Sequence, residues 1–342
     1  PNFFRDYSRQ ALPLRELVTK YCSGDLEFEP GSKFVYNNSG YVILGAVIEQ
    51  ITGKSYEQVL QERILDPVGM KATGYDHSEA LINKRAAGYS NRLDGVRNAD
   101  FLDMSLPHAA GALYSTVEDL YLWDRALYGT KLLSEDGKKK WFTPGLSNYA
   151  YGWTIRKMSV GPDKAERLVI QHGGGINGFS SLLTRVPADH TLIVLLDNTG
   201  GGALNLMTQS IGDILYGREP QPPKRSIARA LQATIREKGV EAAIAQYHDL
   251  KANKAQDYDL SEGELNRLGY SLLQGGRTDD AIAIFKLNVE SFPKSSNPYD
   301  SLAEAYAAKG EKELAIKNYA HSIELNPANT NGIKKLQELA NK

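Results

Sequence analysis

The last third of the chain repeats itself with a period of 34 residues. In each unit, small residues let two helices approach closely and an aromatic residue fills the groove between them, while glycine ends the first helix and proline follows the second. Such a unit buries its apolar face only by stacking on its neighbours. The repeat therefore predicts a stack of helix-turn-helix units. The corresponding positions are Leu268 and Leu302, Gly269 and Ala303, Gly276 and Gly310, Ala281 and Ala315, Phe285 and Tyr319, Val289 and Ile323, and Pro293 and Pro327.

A weaker copy of the same unit precedes these two. The segment KGVEAAIAQY (Lys238–Tyr247) follows the pattern with a shorter turn, and three helix pairs meet the usual minimum for a stable stack. The pattern resembles tetratricopeptide repeats. That resemblance leaves two alternatives: a module that binds a protein or peptide partner, or a helical appendage that only stabilises its neighbour.

A proline-rich segment precedes the repeats. Three prolines and mixed charges lie within the ten residues GREPQPPKRS (Gly217–Ser226), and this composition resists both helix and strand. We expect a linker at residues 217–225, which joins a domain of residues 1–216 to the repeats of residues 226–342.

Upstream of the linker, helical patterns come first and strand patterns follow one another later. The last two strands are joined by a short polar turn, VPADH. Helices followed by consecutive strands predict an α+β fold, in which helices flank an antiparallel sheet, before the all-α repeat domain. The predicted helices are Gly40–Ile51, Tyr56–Ile64 and Val117–Leu127, and the predicted strands are Ala150–Arg156, Arg167–Gln171, Phe179–Arg185 and Thr191–Asp197.

Charge and cysteine content argue against several classes of function. A net charge of −1 without a basic cluster disfavours nucleic acid and anionic membranes as main partners. No apolar run approaches membrane-spanning length. Cys22 is the sole cysteine, which excludes an intrachain disulfide and a thiolate metal cluster. The six histidines show no ligand spacing, which argues against a metal site, and nothing in the sequence implies an organic cofactor.

The segment VYNNSGYVILG (Val35–Gly45) places polar residues directly before an apolar helical run. In one interpretation, Asn38 or Ser39 caps the helix by accepting a hydrogen bond from a free amide of its first turn. In the other, Tyr36 is a reactive group with Asn38 beside it. These residues alone favour the cap.

A second unusual segment, VIQHGGGINGF, has three glycines after His172. Glycines let the backbone approach a ligand and offer unobstructed N–H groups. The simpler alternative is a glycine-rich turn beside a surface histidine. HGGG also occurs in the oxyanion hole of α/β-hydrolases, but that fold requires G-x-S-x-G, which the chain lacks, and strands that alternate with helices.

Together the two segments resemble one family, the serine β-lactamases and penicillin-binding proteins, in the branch that contains class C-like enzymes, esterases and D-peptidases. The similarity runs through FEPGSKFVYNNSGYVILGAVIEQITGKSYEQVLQERILDPVGM, GALYSTVEDLYLWDRAL and IQHGGGINGFSSLLTRVPADHTLIVLLDN, which covers most of residues 1–216. It implies a small acyl or peptide-like substrate and a β-lactamase-like fold. Only this resemblance bears on location, and it implies a periplasmic or secreted protein.

The resemblance also implies roles for single residues. Tyr36 would move the nucleophile's proton to the leaving group. Asn38 would hydrogen-bond the acyl-side amide of the substrate and an ammonium group of the site. His172 would be a donor that supports the tyrosine and the substrate carboxylate. Gly175, with Gly174 beside it, would form the oxyanion hole and the substrate-binding edge.

The family's nucleophile, the serine of S-x-x-K, is not found before Tyr36. The one match in the chain, Ser291–Lys294, contains a proline and falls between two repeats. Because PNFF (Pro1–Phe4) resembles the family segment just after the nucleophile region, we expect the serine before Pro1 in the parent protein. This chain alone should then be inactive and should expose apolar surface.

The substrate stays open at this point, since the family includes β-lactamases, D-peptidases and esterases on one scaffold. The alternative function is a non-catalytic interaction protein, in which a degenerate β-lactamase-like domain presents the repeats to a partner. The retained Tyr36, Asn38 and His172 favour the enzyme, whereas the absent serine favours the alternative.

Overall fold

The computed structural model describes residues 7–93, 95–159, 165–200 and 203–340, so the segment PNFF lies outside the described residues. The chain divides into two units, one of residues 1–91 and 96–221 and one of residues 92–95 and 222–342. The first unit combines helices with an antiparallel sheet, and the second is built from helices. The predicted α+β class with a following all-α repeat region is confirmed.

A five-stranded antiparallel meander forms the sheet of the first unit, with its strands in chain order. Side chains alternate between its two faces, and the helix-facing side holds a cluster of Leu127, Ala150, Trp153, Ile155 and Ile170. The strands are β5 (Tyr149–Ala150), β6 (Trp153–Ser159), β7 (Glu166–Ile176), β8 (Phe179–Val186) and β9 (Thr191–Asp197). They follow the short strands β1 (Gly74–Tyr75), β2 (Tyr89–Arg92), β3 (Gly95–Asn98) and β4 (Leu113–Tyr114).

The helices of the first unit agree with the predicted positions, with one difference. The predicted helix Tyr56–Ile64 is α-helical only to Leu60, and Gln61–Leu65 form a π-helical segment. Among the described residues, no helix is long and apolar enough to span a membrane. The α-helices are α1 (Leu14–Tyr21), α2 (Asn38–Thr52), α3 (Tyr56–Leu60), α4 (Asp66–Val68), α5 (Val117–Ala126), α6 (Glu135–Trp141) and α7 (Leu204–Leu215).

Helix α5 is held at its first turn by two hydrogen-bonding residues. Thr116 caps it, because its Oγ1 accepts from the amide of Asp119 at 3.2 Å. The buried carboxylate of Asp119 accepts from the amide of Ala72 and from the hydroxyl of Thr73, each at 2.7 Å. These bonds tie α5 to the segment before β1.

One turn further along, α5 is joined to the sheet by a buried ion pair. Asp124 and Arg185 are only 1% and 2% exposed, and the guanidinium Nε of Arg185 donates to the Asp124 carboxylate. The guanidinium carbon also lies 5.1 Å from the ring centre of Tyr128 and 5.8 Å from that of Phe142. The pair is therefore both neutralised and packed between aromatic rings.

The second unit consists of three helix pairs and a final helix, as the repeat predicts. Nineteen buried hydrophobic residues form one continuous cluster through the stack. The helices are α8 (Ile227–Lys238), α9 (Val240–Asn253), α10 (Glu262–Gln274), α11 (Thr278–Ser291), α12 (Ser296–Lys309), α13 (Lys312–Leu325) and α14 (Thr330–Ala340), with short strands β10 (Arg225–Ser226) and β11 (Tyr258–Asp259).

The small and aromatic positions of the repeat have the expected packing. A Cβ atom added to Gly269 would lie 2.4 Å from a ring carbon of the fully buried Phe285, so only glycine lets α10 approach α11 this closely. Gly310 ends α12 in the left-handed conformation, with φ of 86°. The one-residue turn at Gly239, also with positive φ, is the shorter turn predicted for the first pair.

Removal of one partner of the buried pair should strongly destabilise the first unit. Asp124→Ala leaves the Arg185 charge buried and unpaired, and we expect a loss of about 3–5 kcal/mol of unfolding free energy. Urea unfolding followed by tryptophan fluorescence measures this unit, because Trp123, Trp141 and Trp153, the three tryptophans of the chain, all belong to it.

Two variants complete this test. The double variant Asp124→Leu/Arg185→Met should recover most of the loss, because no buried charge remains. Lys54→Ala, which breaks a half-exposed ion pair with Glu62, should change stability by less than about 1 kcal/mol. Equal effects of Asp124→Ala and Lys54→Ala would show that burial does not strengthen the Asp124–Arg185 pair.

Candidate active site

Tyr36 lies two residues before the first residue of α2, and Asn37, the residue between them, caps the helix. Asn37 has an extended backbone, and its Oδ1 accepts from the amide of Gly40 at 3.2 Å. The prediction that Asn38 or Ser39 is the cap is therefore wrong by one residue. Asn38 is instead the first residue of the helix, and its exposed side chain makes no hydrogen bond within the described residues.

Close packing fixes the direction of α2. A Cβ atom at Gly45 would lie 2.7 Å from Cβ of Ala109 and 2.9 Å from Cε1 of His108, so the helix backbone rests directly on this 3₁₀ turn. Val42, one turn earlier, is buried with Leu17 and Leu106. These contacts position the N-terminus of α2, where Asn38 is the first residue and Tyr36 lies two residues before it.

His172 and the glycines after it lie inside strand β7, not in a turn. They pair with β8 on one side, from His172 opposite Leu183 to Ile176 opposite Phe179. On the other side the β6 ladder ends at Thr154 opposite Gln171, and no described strand continues it. Since successive N–H groups of a strand point to opposite sides, Gly174 and Gly175 direct one amide of the two to this open side.

The glycines differ in the space around them. A Cβ atom at Gly174 would lie 2.5 Å from Oγ of Ser181 on β8, whereas one at Gly175 would meet no atom within 4 Å. Gly175 therefore borders open space, and the backbone is accessible there.

One cavity of about 2080 Å³ brings the predicted residues together. Tyr36, Asn38, His172, Gly174 and Gly175 all line it. The ring centres of Tyr36 and His172 are 6.2 Å apart, with the planes inclined at 32°. The predicted pair thus shares one cavity, but the hydrogen bond of His172 is made to another residue.

That residue is Tyr149 on β5, which the sequence did not single out. Its hydroxyl lies 2.9 Å from Nε2 of His172. Its ring also contacts Tyr36 edge-on, at 6.0 Å between centres, and Phe34 at 5.0 Å. The only sequence signal is a tyrosine just before a predicted strand, and its partner depends on the register that sets Tyr149 opposite Thr154.

Burial makes both members of this pair neutral at pH 7. Desolvation lowers the pKa of His172, and a backbone hydrogen bond with Gly173 opposes this in part. Desolvation raises the pKa of Tyr149, and Tyr41 and Tyr36 add to the increase. An imidazole with a lowered pKa and a phenol with a raised pKa both carry no charge at neutral pH.

The same cavity contains a second polar group. Asp76 is buried, and its Oδ2 accepts from Nη2 of Arg85 at 2.7 Å, while its Oδ1 has no hydrogen-bond partner among the described residues. Burial raises the pKa of Asp76, and Arg85 and His77 oppose this increase. The cavity wall thus combines His172, which is hydrogen-bonded to the neutral Tyr149, with an ion pair.

Comparison with known proteins identifies the family to which the chain belongs. Residues 1–214 match the family model of beta-lactamase, and residues 297–329 match that of the tetratricopeptide repeat. The chain belongs to the beta-lactamase family. Both predicted resemblances are confirmed by these matches.

Three relatives illustrate the beta-lactamase family membership. Penicillin-binding protein 4* of Bacillus subtilis is 26% identical over 239 residues, which are 64% of this chain and 50% of that protein. The D-aminopeptidase of Gluconobacter oxydans is 24% identical over 229 residues, 64% of this chain and 42% of that protein. The D-stereospecific amidohydrolase structure from Streptomyces sp. has a TM-score of 0.51 and 26% identity, and the match covers 58% of this chain and 60% of that one. The chain thus spans half or less of the length of these two curated relatives.

Substitutions of Asn37 and Asn38 should distinguish the residue that stabilises α2 from the residue that belongs to the candidate site. Asn37→Ala removes the cap and should lower the unfolding free energy of the first unit by about 1 kcal/mol. Asn38→Ala removes an exposed side chain without a hydrogen-bond partner and should change it by less than about 0.5 kcal/mol. Urea unfolding with tryptophan fluorescence measures both, and a larger loss for Asn38→Ala would contradict the cap assignment.

Proposed function

We propose that the first unit supplies most of the acyl-transfer site of a serine hydrolase. The observation that carries this proposal is the shared cavity, which is lined by Tyr36, Asn38, His172 and the glycines of β7. In this proposal Tyr36 transfers the proton between nucleophile and leaving group, because its hydroxyl lines the cavity and can both accept and donate a proton. Asn38, whose amide has no partner within the described residues, binds the acyl-side amide of the substrate.

The open side of β7 supports an oxyanion hole. One backbone amide of Gly174 and Gly175 points away from β8, and no described strand takes its hydrogen bond. A fixed amide of this kind stabilises the charge that develops on a tetrahedral intermediate, and removal of such a donor typically costs ~10²–10³ in rate. The free space at Gly175 lets a carbonyl oxygen reach the backbone.

We propose that the nucleophile belongs to the parent protein and not to this chain. The one S-x-x-K match, Ser291–Lys294, begins at the last residue of helix α11 in the second unit. An exposed apolar stripe on α2 supports a missing neighbour: Leu44, Val47 and Ile51 follow helical spacing and face outward. The family pattern provides an S-x-x-K helix before the Tyr-x-Asn motif. This chain alone is therefore inactive in our proposal.

The relatives define the substrate class that we propose. They are named as a penicillin-binding protein, a D-aminopeptidase and a D-stereospecific amidohydrolase. Small acyl compounds with a D-configured or strained amide, together with activated esters, share the carbonyl chemistry that such a site performs. We propose hydrolysis of D-amino-acid amides, esters or β-lactams through a serine acyl-enzyme.

Kinetics of the full-length protein test this proposal. Tyr36→Phe keeps the ring and removes the proton carrier, so it should lower kcat by ~10²–10⁴ while KM changes little. Tyr121→Phe is a matched control, because Tyr121 has the same 54% exposure and does not line the cavity. Hydrolysis of a chromogenic ester and of D-phenylalanine amide gives both parameters.

Labelling experiments locate the nucleophile. An activated acyl ester should leave no stable acyl group on this chain, whereas mass spectrometry should find one on an upstream S-x-x-K serine of the full-length protein. An upstream sequence without that motif, together with no turnover, would favour the non-catalytic interaction protein. Unchanged kcat for Tyr36→Phe in an active enzyme would remove Tyr36 from the mechanism.

We also propose that residues 226–342 act as a separate repeat domain, joined through the linker 217–225, and that this domain binds a partner segment. A groove of about 470 Å³ lies among α9, α11, α12 and α13. Its floor is apolar and its rim is mainly acidic. The floor contains Ile244, Ile282, Leu287, Tyr306 and Leu314, and the rim contains Glu241, Asp279, Glu290 and Glu311 against Lys286 and Lys309.

Charge complementarity indicates a basic partner. Lys309 is already neutralised, since its Nζ lies 3.0 Å from Asp279 and 3.4 Å from Glu311. Glu241 and Glu290 form no ion pair within the described residues. A peptide segment with apolar side chains between lysines or arginines would therefore match both floor and rim.

Peptide titrations test this second proposal. A fluorescent peptide of alternating leucine and lysine groups should bind, and its glutamate counterpart should not. Glu241→Gln/Glu290→Gln should weaken binding by about 2–30-fold, at ~0.2–1 kcal/mol for each charge. Glu324→Gln, which changes an exposed carboxylate outside the groove, should leave it unchanged. Equal binding of both peptides would contradict a role for the acidic rim.

A further inference from the structure

The ion pair of Asp76 and Arg85 in the cavity wall has no role in the proposed function, and it leaves hydrogen-bond donors unused. Nη2 of Arg85 donates to Oδ2 of Asp76 at 2.7 Å, and this guanidinium forms no other hydrogen bond within the described residues. A guanidinium carries five N–H donors in a planar fork that matches a carboxylate. The remaining donors of Arg85 are therefore available to a ligand.

Exposure and geometry distinguish this pair from the buried pair of Asp124 and Arg185. The side chain of Arg185 is 3% exposed, whereas that of Arg85 is 36% exposed and lines the cavity. In the two-bond arrangement that arginine and carboxylate often form, both carboxylate oxygens accept. Here Oδ1 of Asp76 is buried and has no hydrogen-bond partner within the described residues. The pair thus holds a guanidinium at the cavity surface by one bond.

The backbone on both sides of this pair is fixed. The amide of Asp76 donates to the carbonyl of Ala112 at 2.7 Å, next to the pairing of β1 with β4. The amide of Arg85 donates to the carbonyl of Ile82 at 3.2 Å, and Lys84 in this turn has φ of 59°. A non-glycine residue keeps such an angle only where its surroundings impose it, and such residues cluster at functional sites.

The segment that follows Arg85 leads to the turn between β7 and β8. A Cβ atom at Gly88 would lie 2.6 Å from Cε2 of Phe179 and 3.2 Å from the carbonyl oxygen of Asn177, so Gly88 packs directly on this turn. Three residues span at most about 11 Å, which limits the distance between the Cα atoms of Arg85 and Gly88. Strand β7 ends one residue after Gly175. The Arg85 segment therefore reaches the turn next to the open backbone at Gly175.

We propose that Arg85, held by Asp76, binds a carboxylate of the ligand in this cavity, so that anionic acyl compounds are preferred over neutral ones of the same shape. The family pattern assigns a substrate carboxylate to His172, but burial lowers the pKa of His172 and disfavours a positive charge there. Arg85 keeps its charge at all physiological pH values. The importance of this contact for turnover rests on the proposed function, whereas the binding is a property of this chain.

Binding to this chain tests the proposal without turnover. The probes are N-acetyl-D-phenylalanyl-D-alanine, which ends in a carboxylate, and its neutral C-terminal amide. In the nitrogen-15-labelled chain, the arginine Nε–H signal that disappears in Arg85→Lys should shift when the acid is added and stay in place when the amide is added. The acid should bind about 10-fold more tightly, as expected for charge-assisted hydrogen bonds that stay partly exposed to water.

Four variants locate this preference. Arg85→Gln should abolish it, and Asp76→Asn/Arg85→Gln should do the same without a buried unpaired carboxylate, which covers the case that the single variant does not fold. Lys84→Gln removes an equal charge from the neighbouring exposed residue and should reduce the preference by less than about 5-fold. Arg63→Gln, at an exposed residue that does not line the cavity, should leave it unchanged.

Three results would overturn the proposal. The first is a wild-type chain that binds the acid no more tightly than the amide, including a chain that binds neither. The second is a preference that persists in Arg85→Gln or in the double variant. The third is an equal loss of preference in Lys84→Gln and Arg85→Gln, which would assign it to general positive charge and not to a fixed guanidinium.

Turnover of the same two probes by the full-length protein tests the consequence for the reaction. Both probes contain the same D-phenylalanyl amide bond, so the ratio of kcat/KM for acid and amide should fall about 10-fold in Arg85→Gln, mainly through a higher KM for the acid. A purely structural role would lower both values equally and keep the ratio, which would overturn a contact of Arg85 with the substrate carboxylate. An inactive full-length protein would contradict the proposed function and leave the binding preference as the decisive test of Arg85.

Discussion

The buried Asp124–Arg185 pair is the contact on which the geometry of the first unit depends. It joins α5 to β8, and β8 is the strand that pairs with the His172–Ile176 segment of β7. The same helix binds Ala72 and Thr73 through Asp119, so its position also affects Ala72, which lines the cavity. Removal of one charge would leave the other buried and unpaired. The contact therefore requires both of its partners, whereas apolar packing does not depend on one particular pair.

The two units are stabilised differently. The repeats share one cluster of nineteen buried hydrophobic residues, whereas the hydrophobic core of the first unit is divided into clusters of five, three and three. In the first unit, α2 and α7 also present large apolar side chains outward, among them Ile51, Leu206 and Ile214. At about 25 cal/mol for each Å² buried, covering such side chains is worth several kcal/mol, so a partner for these faces would add substantial stability.

Periodic features were predictable from the sequence, and single contacts were not. The 34-residue repeat and the order of helices and strands follow from hydrophobic spacing, which reports burial over many residues. The cap was misplaced by one position because Asn37, Asn38 and Ser39 can all accept the same bond, and only the backbone angles select Asn37. The Tyr149–His172 bond depends on sheet register, and the π-helical segment Gln61–Leu65 has no local composition that distinguishes it from an α-helix.

The proposed reaction needs charged groups that the first unit does not supply beside Tyr36, so part of the proposed chemistry belongs to the S-x-x-K segment of the parent protein. An ordinary tyrosine has a pKa near ~10, so a tyrosine that acts as a base at neutral pH needs a neighbouring cation. The ring centre of His172 lies 6.2 Å from that of Tyr36, but burial lowers the pKa of His172 and so disfavours its charged form. Within the described residues, the ring and hydrogen-bond contacts of Tyr36 and His172 are made with each other and with Tyr149, and none of these contacts is with a lysine or arginine. In the proposed mechanism, the lysine of S-x-x-K, one helical turn from the serine, provides the charged group that activates the serine. The accessory tyrosine can contribute only when that lysine is present.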